Sequence, residues 1–185
     1  SFESVLGAAR NVSRFRGANL PVESVTWYDA VEYCNERSRA EGLELCYDLA
    51  GDATTCDFTK NGYRLPTEAE WEQAARSGSV TAFPNGDITV ETCFAPDTTQ
   101  AVDPNLDAIG WYCGNAGPGT HEVAGKQPNA GGHYDMAGNV WEWCWDWYAA
   151  QPPPGVPTGP ETGYQRTIRG GSWYAFSRDC RSAAR

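Results

Sequence analysis

The sequence predicts a single α+β domain of low regular secondary structure, with two main helices and small antiparallel sheets. Two stretches carry capped helical patterns, and short strand-like runs are separated by turn residues. The 185 residues also include 20 glycines and 12 prolines, which interrupt helices and strands alike. This length fits one domain with its own hydrophobic core.

Both predicted helices begin with a capping box, in which a Thr and an acidic residue three positions later bond each other's backbone N–H groups. Thr26 and Asp29 open the first helix, and the apolar residues after them recur at helical spacing. Thr67 and Glu70 open the second helix, and Gly78 stands where it should end. The sequence therefore predicts one helix after residue 26 and another after residue 67.

A hairpin is predicted between these helices. Residues 44–49 and 54–58 are short runs with strand-forming residues, and the polar stretch between them contains Gly51. Pairing of the two runs would place Cys46 opposite Cys56, which predicts a disulfide across the hairpin. The alternative is that the two cysteines are unrelated buried thiols.

Residues 79–129 are predicted to be mostly loop, because Pro, Gly, Asn, Asp and Thr occur there at turn density. So long an irregular stretch needs something to fix it within a compact domain. A disulfide such as Cys93–Cys113 would do so, and so would a bound metal ion.

Seven cysteines beside one methionine favour an oxidising compartment. An extracytoplasmic location is therefore expected, whether secreted, periplasmic or at the cell surface. None of the cysteines forms a close Cys-x-x-Cys pair, and the two histidines do not stand at zinc-ligand spacing. Disulfides explain the cysteines better than a zinc site does.

The charge balance argues against a nucleic-acid partner, and the hydropathy argues against a membrane-spanning segment. Lys and Arg number 14 against 24 Asp and Glu, a net charge of −10, so the chain repels phosphate backbones and anionic lipid headgroups. No run approaches the roughly 20 apolar residues that cross a bilayer. We therefore expect neither a nucleic-acid partner nor a membrane span.

Segment 141–148 alternates four tryptophans with Glu142, Cys144 and Asp146. In a strand, this alternation places the tryptophans on one face and the other three residues on the opposite face. The favoured interpretation is a core strand whose tryptophans are buried. The alternative is a surface on which a sugar or peptide stacks.

Two carboxylates seven positions apart, Asp135 and Glu142, bracket a turn that contains Gly138. Their side-chain oxygens, together with the backbone carbonyls of Gly138 and Val140, would form the mixed oxygen shell that calcium prefers. Spacing alone is not specific, because carboxylates beside a turn are commonly solvated.

The C-terminal segment 166–185 contains five arginines and the adjacent pair Gly170 and Gly171. Two adjacent glycines indicate a close backbone approach. The arginines bring positive charge to an acidic chain, and pairing with carboxylates inside the fold is their expected role.

Four ordered motifs, at residues 20–30, 63–72, 134–143 and 169–173, resemble those of the formylglycine-generating enzyme (sulfatase-modifying factor) family. The resemblance implies a C-type-lectin-like variant, the formylglycine-generating-enzyme fold, with bound calcium held by Asp135, Gly138, Val140 and Glu142. A second family site would fall near Asn115, where the surrounding residues depart from the pattern. Residues 1–185 are expected to form one such domain that lacks the family's N-terminal segment and C-terminal strand.

The catalytic motif of the family is incomplete in this chain. The resembling enzymes oxidise a substrate cysteine with two cysteines, five positions apart, that bind copper(I) shortly after the Gly-Gly-Ser motif. Here that segment has only Cys180. Two histidines, His121 and His133, are too few to indicate the non-haem iron site of other relatives.

Two functional hypotheses follow from the resemblance. The first is a non-catalytic module that binds a protein or carbohydrate ligand, in the manner of lectin-fold display proteins diversified by retroelements. Its recognition patch would lie near residues 173–181 and comprise Trp173, Tyr174, Phe176, Ser177 and Asp179. The second is a copper-dependent oxidase that acts on a protein cysteine through Cys180 and a partner such as Cys144.

Overall fold

The computed structural model describes residues 2–91, 93, 102–151 and 154–185. The chain divides into two compact units. The first unit comprises Ser1–Arg16 and Val22–Pro66, and the second comprises Gly17–Pro21 and Thr67–Arg185. Within the described ranges there are four α-helices and two small antiparallel sheets, which confirms the α+β class.

The first unit contains helices α1 (Phe2–Leu6) and α2 (Trp27–Ala40) and a hairpin of strands β1 (Tyr47–Asp48) and β2 (Thr55–Cys56). The predicted capping box of α2 is present, with Thr26 and Asp29 bonding each other's backbone N–H groups. Asn35, on the buried face of α2, accepts from the Tyr47 N–H at 3.1 Å and donates to the Tyr47 carbonyl at 2.9 Å. This pair of bonds fixes the hairpin to the helix.

The hairpin is confirmed, but the predicted Cys46–Cys56 disulfide is wrong. Tyr47 is the residue opposite Cys56, so Cys46 lies one position out of register. Cys46 and Cys56 are therefore not a directly opposed pair. No disulfide joins Cys46 or Cys56 in the described structure.

The second unit contains helices α3 (Glu68–Arg76) and α4 (Pro104–Ile109) and strands β3 (Glu142–Trp147) and β4 (Arg166–Arg169). The capping box of α3 is formed by Thr67 and Glu70, as predicted. Strands β3 and β4 pair antiparallel, with an irregularity in register between Trp143 and Trp147. None of the helices in the described ranges has the length and apolar content needed to cross a membrane.

The long loop is fixed as predicted by a disulfide between Cys93 and Cys113, whose Cα atoms lie 5.5 Å apart. Helix α4 was not predicted. Its start carries a sequence signal nonetheless, because Asp103 caps the N–H groups of Asn105 and Leu106 and Pro104 occupies the first helical position. Leu106 is fully buried and belongs to the hydrophobic cluster against which Cys93 and Cys113 pack.

Strand β3 forms as predicted, but its tryptophan face is only partly buried. Cys144 and Asp146 are buried at 0% and 4% exposure, whereas Trp143, Trp145 and Trp147 each remain partly exposed. The sheet therefore turns its polar face inward.

Specific contacts satisfy this inward polar face. The Asp146 carboxylate accepts the Glu68 N–H at 2.7 Å, and Cys144 packs against Trp71 and Ala75. On the opposite face, the Arg166 guanidinium lies 3.7 Å from the ring centroid of Trp147. A cation at this distance from an indole ring is attracted by its negative face.

Arg169 of β4 is fully buried. Its guanidinium donates to Glu68 at 3.2 Å, to Glu72 at 2.6 Å and to the Ser182 carbonyl at 2.7 Å. Arg185 donates to both carboxylate oxygens of Glu68, at 2.5 and 2.6 Å. Pairing of the C-terminal arginines with carboxylates inside the fold is thus confirmed for Arg169 and Arg185, and it ties the C-terminal segment to α3.

Candidate functional site

The turn between Asp135 and Glu142 is held by backbone bonds to two other segments of the second unit. The Gly138 N–H donates to the Gly170 carbonyl at 2.7 Å, and the Asn139 N–H donates to the Trp111 carbonyl at 2.7 Å. Gly138 has a φ of 79°, and a Cβ atom there would come within 2.0 Å of the Trp111 oxygen. Only glycine fits at this position.

Asn139 is a structural residue of the turn that the sequence reasoning missed. It is buried and has a φ of 59°, a left-handed conformation that asparagine tolerates better than most residues. Its amide accepts from the His121 N–H at 3.0 Å and donates to the His121 carbonyl at 3.1 Å. The Gly-Asn pair in the sequence is the signal that could have indicated this turn.

Asp135, at the start of the turn, uses only one of its two carboxylate oxygens as a hydrogen-bond acceptor among the described residues. Its Oδ2 accepts the Ala124 N–H at 2.7 Å. Its Oδ1 is buried and has no hydrogen-bond partner within the described part of the chain. Burial of a carboxylate oxygen without a partner is costly, so this atom is a candidate ligand for a cation.

Glu142, at the end of the turn, accepts a hydrogen bond from Trp71 Nε1 at 2.6 Å. Burial raises the pKa of Glu142 from 4.5 to about 7, the Trp71 N–H lowers this pKa, and the negative charge of Asp135 raises it further. The two carboxylates are therefore close enough to repel each other. None of the ion pairs among the described residues involves Asp135 or Glu142.

The other two predicted ligands of this turn are backbone groups. Gly138 is buried and Val140 is partly buried. In the described parts of the chain, no three His, Cys, Asp or Glu side chains converge closely enough to hold a metal ion. Asp135 and Glu142 would therefore need backbone oxygens to complete a cation shell, which is the composition expected for calcium rather than zinc.

Asn115, near which a second family site would fall, is committed to structural bonds. Its amide nitrogen donates to Asp107 at 2.8 Å and to the Gly110 carbonyl at 2.9 Å, and its oxygen accepts the Tyr112 N–H. The Lys126 ammonium lies 3.1 Å from the same Asp107 oxygen. A lysine thus already supplies positive charge at this place.

The predicted recognition patch is only partly at the surface. Tyr174 is 62% exposed and Asp179 is partly exposed. Trp173 is partly buried and meets the Tyr174 ring edge to face, with 5.1 Å between ring centroids. Phe176 is partly buried beneath the exposed Arg178, whose guanidinium lies 5.0 Å from the ring centroid.

Ser177, which was predicted to belong to the patch, does not lie at the surface. It is fully buried, and its hydroxyl donates to the Val90 carbonyl at 2.7 Å. It begins a short 3-10 helix, Ser177–Cys180, that turns its side chain inward. Ser177 therefore supports the segment from inside, whereas the neighbouring Arg178 is exposed.

Cys180 and Cys144, the pair on which an oxidase would depend, are both buried and belong to different hydrophobic clusters. Burial raises the pKa of the Cys180 thiol to about 12 and also raises that of Cys144. A Cβ atom at Gly171 would come within 2.5 Å of Cys180 Sγ, which confirms the close approach predicted from the double glycine. Neither thiol has the thiolate character of a reactive cysteine.

The chain is similar in sequence to a protein family and to individual proteins of known name. Residues 7–185 match the family described as sulfatase-modifying factor enzyme 1-like domain. The chain is 35% identical to the chaperone protein LppX of Paenibacillus barcinonensis over 88% of its own length and 62% of that protein's. It is 37% identical to the formylglycine-generating enzyme of Thermomonospora curvata over 88% of its own length and 47% of that enzyme's. It therefore spans about half to two thirds of these relatives.

Among solved structures, Treponema denticola variable protein 1 matches with a TM-score of 0.81 and 34% identity, over 98% of this chain and 72% of that one. PvdO from Pseudomonas aeruginosa matches with a TM-score of 0.61 and 25% identity, over 91% of this chain and 56% of that one. These matches confirm the predicted formylglycine-generating-enzyme fold.

The raised pKa of Glu142 predicts a pH dependence of stability in the presence of a chelator. The carboxyl ionises near its ordinary pKa when the chain is unfolded and only near pH 7 when folded. Its contribution to stability is therefore complete below about pH 4.5 and is lost as the pH rises through 7, a loss of about 3 kcal/mol. Urea unfolding at pH 5 and pH 8 should show a smaller fall for Glu142→Gln than for the wild type. Equal falls would contradict this assignment.

Proposed function

The chain belongs to the family of sulfatase-modifying factor enzyme 1-like domains, and from this premise we propose that it is a calcium-stabilised, non-catalytic ligand-binding module. The observation that carries the calcium proposal is the buried Oδ1 of Asp135, which has no hydrogen-bond partner among the described residues and lies on the same turn as the partly buried Glu142. The family match runs through both compact units, which supports treating residues 1–185 as one domain.

Calcium fits the turn on chemical grounds. Asp135 and Glu142 would provide side-chain oxygens, and Gly138 and Val140 would provide carbonyls. Calcium takes six to eight such oxygens in flexible geometry. The ion would supply positive charge to two mutually repelling carboxylates that have no arginine or lysine partner among the described residues.

The non-catalytic part of the proposal rests on the cysteines. The segment after the Gly-Gly-Ser motif contains only Cys180, whereas copper(I) is held by soft thiolate ligands and the enzymes of this family use a pair. Cys180 is buried, and burial raises its pKa to about 12. The copper-dependent oxidase is therefore the less supported alternative.

The recognition surface would be formed by Trp173, Tyr174, Phe176 and Asp179, with Arg178 added. Tyrosine and arginine are enriched at binding hot spots because they give large contact area and directional bonds. The Treponema denticola relative is named a variable protein, and this agrees with a display role in which outward-facing residues of the segment differ between copies. The ligand would be a protein or a carbohydrate.

An extracytoplasmic location is part of the proposal. The Cys93–Cys113 disulfide supports it, since disulfides persist in oxidising compartments.

Calcium removal is predicted to lower the melting temperature. At a free calcium concentration of one hundred times Kd, binding adds about 2.7 kcal/mol of stability, which is about 5–10 °C for a chain of this size. Differential scanning calorimetry with calcium and with EGTA should show this difference for the wild type and none for Asp135→Asn. Asp48→Asn, at an exposed residue of β1, is the matched control and should keep the full difference. An identical wild-type melting temperature with and without EGTA would refute the calcium site.

The absence of catalysis is tested with a sulfatase-type peptide that contains the cysteine to be oxidised. After incubation with copper(I)-treated protein, mass spectrometry should detect only unmodified cysteine. The Thermomonospora curvata enzyme provides the positive control. Conversion of the cysteine to formylglycine by this chain would overturn the non-catalytic assignment.

The recognition surface is tested on arrays of defined oligosaccharides and purified extracellular proteins. We expect Tyr174→Ala to weaken any binding about tenfold or more, because truncation of a central aromatic contact typically costs over 1 kcal/mol. Tyr164→Ala is the matched control, since Tyr164 is fully exposed outside the patch, and it should bind as the wild type does. Equal losses in both variants, or no binding to either array, would contradict the proposed surface.

A further inference from the structure

The 135–142 turn, which contains the proposed calcium ligands, also holds the backbone of residues 170–173. These residues lead into the recognition surface. The Trp173 N–H donates to the Asn139 carbonyl at 2.8 Å, and the Gly138 N–H donates to the Gly170 carbonyl at 2.7 Å. Residues 170–173 are thus attached at both ends to the middle of the turn. Loosening of the turn would weaken these two bonds to the residues before Tyr174.

The turn itself is costly to hold in shape without a cation. Asp135 and Asn139 both lie in the left-handed region, with φ of 56° and 59°, and such non-glycine conformations persist only when their surroundings enforce them. The Oδ1 of Asp135 is buried and has no hydrogen-bond partner among the described residues. A divalent cation bound by this oxygen would hold the start of the turn in place.

Residues 173–182, called the recognition segment below, also have anchors that do not involve the turn. The Ala175 carbonyl accepts the Cys113 N–H at 3.1 Å, and the Ser182 N–H donates to the Ala82 carbonyl at 2.9 Å. The Ser177 hydroxyl is bound to the Val90 carbonyl. The far part of the segment therefore has support that does not involve the turn, whereas the backbone N–H of Trp173 bonds to the turn itself.

We propose that calcium bound at the 135–142 turn orders the start of the recognition surface, so that ligand binding there depends on an ion that the ligand does not touch. Ala137, Gly138 and Asn139, which lie between the two carboxylates, are buried, and their backbone transmits the effect. By linkage, the ligand raises the affinity for calcium by the same factor as calcium raises the affinity for the ligand. This inference rests on the proposed calcium site.

Hydrogen–deuterium exchange of the full chain, read by mass spectrometry with calcium and with EGTA, tests the coupling. Calcium should slow exchange in peptides that cover residues 172–176 by about tenfold, within the range of typical coupling between sites. Peptides from α2 in the first unit provide the control and should change little. Asp135→Asn should exchange equally fast in both conditions.

Calorimetric titration with calcium, run in parallel, separates the two ways to fail. If calcium binds and exchange at 172–176 does not change, the coupling is wrong and the calcium site stands. If calcium binds and α2 slows by the same factor as 172–176, the effect is general stabilisation and the coupling is again wrong. If no calcium binds, the proposed site fails, and the coupling fails with it.

Discussion

The burial of one cation, Arg169, is the constraint on which the second unit depends. A guanidinium removed from water is tolerated only when carboxylates and carbonyls surround it, and here Glu68, Glu72 and the Ser182 carbonyl do so. These partners come from α3 and from the C-terminal segment. One side chain of β4 therefore decides where both of them lie.

The same helix links this cation to the candidate calcium turn. Trp71, between Glu68 and Glu72 on α3, is almost fully buried, and the Arg169 guanidinium lies 5.0 Å from its ring centroid. Its N–H bonds Glu142, which is also the residue opposite Arg169 in the sheet. Glu68 and Glu72 of α3 are paired with arginines, whereas Glu142 and Asp135 have no arginine or lysine partner among the described residues. The two candidate metal ligands therefore lack the neutralisation that these two carboxylates of α3 have.

The starts of α2 and α3 were predicted correctly because they depend on interactions between residues close together in the sequence. The capping boxes at Thr26 and Thr67 specify helix starts with a few neighbouring residues, and both helices form as expected. The Cys93–Cys113 disulfide followed from the need to fix a long loop. The Cys46–Cys56 pairing failed because register depends on how the hairpin packs against Asn35, which no local pattern reveals.

The faces of β3 and the surface of the recognition segment could not be predicted for a related reason. Alternation assigns residues to two faces but does not say which face is covered. Glu68 and Trp71 of α3 cover the face with Cys144 and Asp146, so the tryptophans are left partly exposed. The resemblance to diversified display proteins predicts Ser177 at the surface, yet a carbonyl 87 positions earlier accepts a hydrogen bond from its hydroxyl.

The alternating burial of the recognition segment limits how much variety it can display. Tyr174, Arg178 and Arg181 are exposed, while Ala175, Ser177, Cys180 and Ser182 are buried at positions between and beside them. A substitution at a buried position changes the support of the segment and not its outer chemistry. If such a segment is diversified, the repertoire of surfaces grows with the number of outward positions alone, and three of the nine residues 173–181 are exposed. Copies that differ at inward positions would be removed by misfolding before any ligand could select among them.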